Sequence, residues 1–180
     1  MWVENGGIVG RGVLLDYAAW LKSQGKEAAL RETTEITVSE LDAVAAYQNI
    51  SFKSGDILFI HTGFVSSLSA LSTEDASTYA EINPPPAIGV KACEESLRWI
   101  WEKEFAAVAG DMPAFEALPF QSQTHWIHEW LLAGWGLPIG ELFDLGRLAG
   151  ECRRLKKWTF FFTSVPLNVS LERFGASSTC

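Results

Sequence analysis

Short apolar runs that stop at a polar residue or a glycine recur along this chain, and stretches of helical periodicity lie between them. Residues 12–17 read GVLLDY, residues 57–60 read ILFI before His61-Thr62-Gly63, and residues 105–109 read FAAVA before Gly110-Asp111. Apolar runs of this kind, without alternation, suit strands that are covered on both faces. Each covered face needs a helix over it, so the pattern predicts an α/β fold with a central, largely covered sheet flanked by helices.

The helix signals fit between those runs. Thr37-Val38-Ser39-Glu40 is a capping box, with Ile36 and Leu41 placed as a hydrophobic staple, and it predicts a helix to about Gln48 with Leu41, Val44, Ala45 and Gln48 on its core face. Residues 18–24 read as a helix stopped by Gly25, and residues 72–81 as a short helix before the extended run Pro84-Pro85-Pro86. Val90, Cys93, Leu97 and Ile100 recur at helical spacing over 90–103. A helix over 122–133, a strand over 137–140, a helix after Asp144 and a strand over 158–165 complete the pattern.

With 180 residues, 48% of them hydrophobic, the chain can bury the core of one domain. Its eight Trp and eleven Phe are first of all core residues, and secondly candidates for a pocket that takes a planar substrate. A net charge of −8 argues against nucleic acid, whose phosphates need clustered Lys and Arg. The one basic cluster, Arg153, Arg154, Lys156 and Lys157, sits where a helix should end and cations meet its dipole. Cys93, Cys152 and Cys180 are odd in number and widely spaced, which fits a reducing, cytoplasmic setting. MWVENGG does not read as a secretory leader, and the apolar stretch 158–169 is too short for a membrane span.

The chemistry concentrates in 124–145, THWIHEWLLAGWGLPIGELFDL. His128 on a helix and Glu141 thirteen positions later, returned by the Gly134-Trp135-Gly136 reversal, can converge on one divalent ion. His125 shares the His128 helix face and can pair with Glu129. A zinc site of His61, His125 and His128 is a second construction. Asp111 and Asp16 each follow a strand, where ligands gather in α/β folds, although either could simply cap a helix. No G-x-S-x-G elbow occurs, and residues 6–12, GGIVGRG, precede a strand, the wrong order for a phosphate cradle. They read as a close-packed loop.

Four segments in order resemble the cyclase family, whose best-known members are kynurenine formamidases, and its fungal branch in particular. They are residues 7–16 (GIVGRGVLLD), Gly55-Asp56-Ile57-Leu58 with Thr62-Gly63-Phe64, residues 107–116 (AVAGDMPAFE), and residues 128–144. The resemblance implies a swivelling β/β/α fold with a central mixed sheet flanked by helices, often dimeric, and a metal-dependent hydrolase of amide or formamide bonds with N-formylkynurenine as the best-known substrate. It implies a divalent cofactor, zinc first and manganese second. His128 and Glu141 match the late ligand positions, and Asp111, Phe115 and His61 fall on the substrate pocket. Where the family usually has an arginine before Thr-Gly, this chain has His61.

The resemblance also implies what to expect of the whole chain. Three further ligands and the proton-transfer histidine belong to an H-x-G-T-H-x-D stretch upstream of the glycine-rich segment, near which this chain starts. The expected arrangement is thus one incomplete cyclase-like domain over 1–169 and a divergent, frayed tail over 170–180, with impaired hydrolysis. The expected partners are a small-molecule substrate and a second copy, with neither nucleic acid nor membrane. The competing reading is a non-catalytic binding or scaffold domain of the same descent.

Overall fold

The computed structural model describes residues 4–165. Residues 166–180, with the end of the expected domain and the expected tail, lie outside the described residues, as does Cys180. Five strands form the central sheet: β1 (Ile8–Asp16), β3 (Ile57–His61), β5 (Ala107–Gly110), β6 (Ile139–Gly140) and β7 (Thr159–Ser164), in the order β6-β5-β3-β1-β7. All neighbours run parallel except β7, which returns antiparallel to β1. Two short parallel strands, β2 (Glu35–Ile36) and β4 (Gly89–Val90), pair separately. The sheet is therefore mixed, as the family resemblance implies.

The apolar runs lack alternation because both faces are covered. Leu15, Leu58, Ile60 and Val108 point into a core shared with α1 (Tyr17–Ser23), α2 (Val38–Tyr47) and α5 (Glu94–Glu102). Their neighbours Leu14, Ile57, Phe59, Ala107 and Ala109 pack on the other face against Ala149 and Cys152 of α6 (Gly146–Leu155), with Phe143, Phe160 and Phe162 at the margin. Burying a side chain the size of Phe59 contributes about 1.5–3 kcal/mol, so these two layers are the main source of stability. Among the described residues no helix is long and apolar enough to cross a membrane.

The capping box at Thr37 forms as read. The Thr37 hydroxyl accepts from the Glu40 N–H, and the Glu40 carboxylate accepts from the Thr37 N–H. Two further helices, α3 (Phe64–Ser69) and α4 (Thr73–Glu81), fill 64–81; α3 carries no side-chain cap, which leaves it unannounced in the sequence.

Three expectations are corrected. The glycine-rich segment is a loop only through Gly6 and Gly7; residues 8–12 are the first half of β1, and Gly12 is there because a Cβ would stand 2.3 Å from the Phe160 ring. Helix α5 starts at Glu94 rather than at 90, because Val90 is bound in β4: its N–H donates to the Phe115 carbonyl and its carbonyl accepts from Ala117. The helix expected over 122–133 starts only at Ile127 and continues as a π-helical turn, Glu129–Trp135. Ser122 is the physical reason. Its hydroxyl accepts from the N–H groups of Thr124 and His125, a local turn that competes with helix.

Candidate active site

β4 does more than pair with β2. Val90 bridges Glu116 in a parallel pairing, and Ala87 bridges Leu118. A Cβ on Gly89 would lie 2.3 Å from the Glu116 carbonyl carbon, so only glycine lets the two main chains approach this closely. The 115–118 segment is thereby clamped, and it carries Glu116 inward at 0% exposure.

A carboxylate so buried needs a partner, and His128 is that partner. The Glu116 Oε1 accepts from the His128 main-chain N–H at 3.2 Å, and Oε2 lies 2.6 Å from the imidazole Nδ1. The other ring nitrogen, Nε2, is 2.9 Å from Glu141 Oε1. Glu141 follows β6, and the same Oε1 accepts from the Phe115 N–H at 3.0 Å. One imidazole is thus held between two carboxylates delivered by different parts of the chain. The hydrogen bonds to Glu116 and then Glu141 outweigh burial and push the His128 pKa up to about 10. His128 and Glu141 are both partly exposed, so the outer side of the pair is open.

Beside Glu141 a cavity of about 410 Å³ opens on the sheet. Ile57, Phe59, Ala107, Phe143 and Phe162 line it, and Glu141 is its one ionisable group among the described residues. An apolar cavity with one directed polar group suits a small, largely apolar ligand.

The remaining candidates have other surroundings. Asp111, nearly fully buried, accepts from the Thr62 N–H at 2.7 Å, the Thr62 hydroxyl at 2.8 Å and the Gly63 N–H at 2.8 Å. Its carboxylate ties the end of β5 to the turn after β3. Phe115 places its side chain in the core, while its main-chain N–H reaches Glu141. His61 is buried, with Nδ1 2.8 Å from Asp16 Oδ1. His125 contacts Ser122 and Thr124 instead of Glu129, because residue 125 precedes the helical turn. The three-histidine zinc site is therefore excluded: each imidazole has a different partner, and the described residues hold no group of three or more donors placed for a metal. Sequence reasoning missed Glu116. Its signal was a lone acid inside the apolar stretch 112–118, MPAFEAL.

Asp16 gathers a second ionic group. Besides His61 it receives the Ala19 N–H as the cap of α1 and the Arg153 guanidinium from α6. Burial pushes its pKa up, but the His61 hydrogen bond and charge, then the Ala19 N–H and the Arg153 charge, outweigh burial and hold it below the usual 3.8. Its folded pKa being the lower, Asp16 contributes stability above the unfolded value, and that contribution is lost as pH falls through the folded one. Wild type should therefore lose stability faster than D16N on acidification below about pH 4, measured as urea midpoints across pH. Parallel curves for the two proteins would contradict this account.

Residues 3–117 match the model of the Cyclase family. The crystal structure of a novel cyclase is similar at TM-score 0.75 and 31% identity, over 91% of this chain and 50% of its own. Isatin hydrolase A from Ralstonia solanacearum is similar at TM-score 0.62 and 17% identity, over 93% of this chain and 56% of its own. Isatin hydrolase A from Labrenzia aggregata, bound to benzyl benzoate, is similar at TM-score 0.57 and 18% identity, over 90% and 56%. The last two likenesses are of fold. The chain spans about half the length of these solved structures. No curated protein matches it.

Proposed function

Since this chain belongs to the cyclase family, we propose that it takes part in metal-dependent hydrolysis of a carbon–nitrogen bond in a small amide or formamide, an N-formylkynurenine-like compound, with His128 and Glu141 giving two donors to a zinc or manganese ion. The observation that carries this reading is the 2.9 Å approach of His128 Nε2 to Glu141 Oε1 on an open surface, while Glu116 occupies the opposite ring nitrogen. A buried carboxylate behind a ligating histidine fixes the ring and strengthens the nitrogen it offers.

Donors of one ion at about 2.0–2.1 Å stand about 3.3 Å apart, so the pair would have to open by about 0.4 Å and give up the Nε2 proton that the raised His128 pKa keeps between them. Two corners of a shell fit. A catalytic zinc ordinarily has three protein ligands, and the described residues bring no third donor to this pair. When bound, the ion supplies a positive charge that polarises a substrate carbonyl. The chain's own residues do the rest of the positioning. Glu116 holds the imidazole plane, Phe115 holds Glu141 through its N–H, and the apolar cavity would receive the ring of the substrate and exclude water from it. Net hydrolysis adds one water across the C–N bond, giving a carboxylate and an amine. A homodimer and a small-molecule substrate are the partners proposed with this reading.

The donor count favours a second reading, a binding or scaffold domain without turnover. Zinc titration and N-formylkynurenine turnover on the purified chain separate the two. The hydrolase reading expects slow turnover that a chelator abolishes and zinc restores. Turnover surviving exhaustive chelation would remove the metal from the proposal, and zinc uptake without turnover would leave the scaffold.

A further inference from the structure

The end of α5 mixes charges. Anions favour a helix N-terminus and cations its C-terminus. Glu94 and Glu95 obey this in the first turn and Lys103 caps the other end, but the last turn has no basic residue and Glu102 and Glu104 flank the cap. Among the described residues neither Glu102 nor Glu104 has an ion-pair partner. Lys103, which lies between them, has its Nζ 5.6 Å from the Phe52 ring centroid and 5.9 Å from that of Trp99, so its charge is engaged with those rings.

These two acids line a cavity of about 560 Å³ together with Trp101, Trp135, Phe105 and Leu137. Among the described residues no Lys, Arg or His lines it, and neither do Phe52 and Trp99. The indoles of Trp101 and Trp135 adjoin at 5.0 Å between centroids, tilted by 54°. Trp101 is 61% exposed, a large apolar side chain left at the surface. Glu104 adopts φ +54°, a left-handed backbone that disfavours any residue but glycine. It is fixed there by its N–H to the Trp101 carbonyl and its own carbonyl to the Gly55 N–H. The cavity shares no lining residue with the one beside Glu141.

We propose that this cavity binds a methylated ammonium head group. Indole faces are the strongest aromatic partners of an organic cation. Two carboxylates and the negative end of α5 add attraction of the same sign, within a protein of net charge −8. A neutral aromatic ligand would desolvate those carboxylates without replacing their water. A second copy packed here about a two-fold axis would set the patch against itself, bringing four unpaired carboxylates together.

Calorimetric titration of the intact chain tests this with three probes: choline, its neutral isostere 3,3-dimethyl-1-butanol, and a peptide bearing trimethyllysine. Choline should bind saturably and the isostere at least about ten-fold more weakly. W101A and the double variant E102Q/E104Q, all surface changes, should each weaken choline by about ten-fold with unchanged circular dichroism. Stronger binding of the peptide than of choline assigns the head group to a protein partner, and the reverse assigns it to a free small molecule. Equal affinity for choline and its isostere overturns the proposal. So do W101A binding choline like wild type, the absence of heat with either cation, and a dimer in sedimentation that W101A converts to monomer.

Discussion

His128→Ala is expected to lower zinc affinity by more than the roughly 10–100-fold that loss of a supporting residue costs, because it removes one of the two donors proposed among the described residues. Glu116→Gln should fall within that 10–100-fold range. The amide keeps the volume but offers one acceptor oxygen where the carboxylate makes two contacts with His128, to the main-chain N–H and to Nδ1. Competition against a chromophoric chelator measures both variants. His128→Ala also strands Glu116, fully buried, without its cationic partner, and such a loss costs stability as well as metal. The double variant H128A/E116Q separates the effects: zinc stays lost and the urea midpoint recovers. If zinc binds H128A as it binds wild type, the pair is not the metal's seat.

Asp111→Ala is expected to destabilise the chain by about 2–6 kcal/mol, about 1–3 kcal/mol for each of the two main-chain N–H groups it strands. Three donors converge on this buried carboxylate, two of them main-chain N–H groups at the turn after β3. Truncation removes charge-assisted hydrogen bonds and leaves those groups dry, which is the costly direction of the asymmetry. Asp111→Asn should cost less, since one amide oxygen can still serve one donor. Urea unfolding with an unchanged m-value reads the effect. A loss under about 1 kcal/mol, the range of exposed ion pairs, would mean that water reaches the clamp. The residue was read from the sequence as a pocket wall, and these hydrogen bonds make it a brace for the strand ends.

The parts of the fold that could be read in advance are those in which local chemistry and tertiary context agree. The Thr37 capping box needs only residues 37–40, and it forms. Ile57–His61 shows both covered faces in its own composition. What could not be read depends on register. Asp16 and His61 were each seen as strand ends, but their meeting follows from parallel pairing of β1 with β3, in which they are directly opposed. Glu116 depends on β4, a strand of two residues whose role is to grip the 115–118 segment. His128 and Glu141 were read as a pair from their spacing across a glycine reversal. The reversal formed, although the helix before it starts later and is wound more widely than the periodicity predicts.

Gly89 gives the site an unusual kind of heredity. Because a bare main chain presses on the main chain of Glu116, the attitude of the imidazole is handed down from sheet geometry and not from any rotamer choice nearby. Even alanine at this position would shift the Glu116 backbone and tip the ring of His128 without touching it. A library search confined to residues around His128 and Glu141 would never sample that control point.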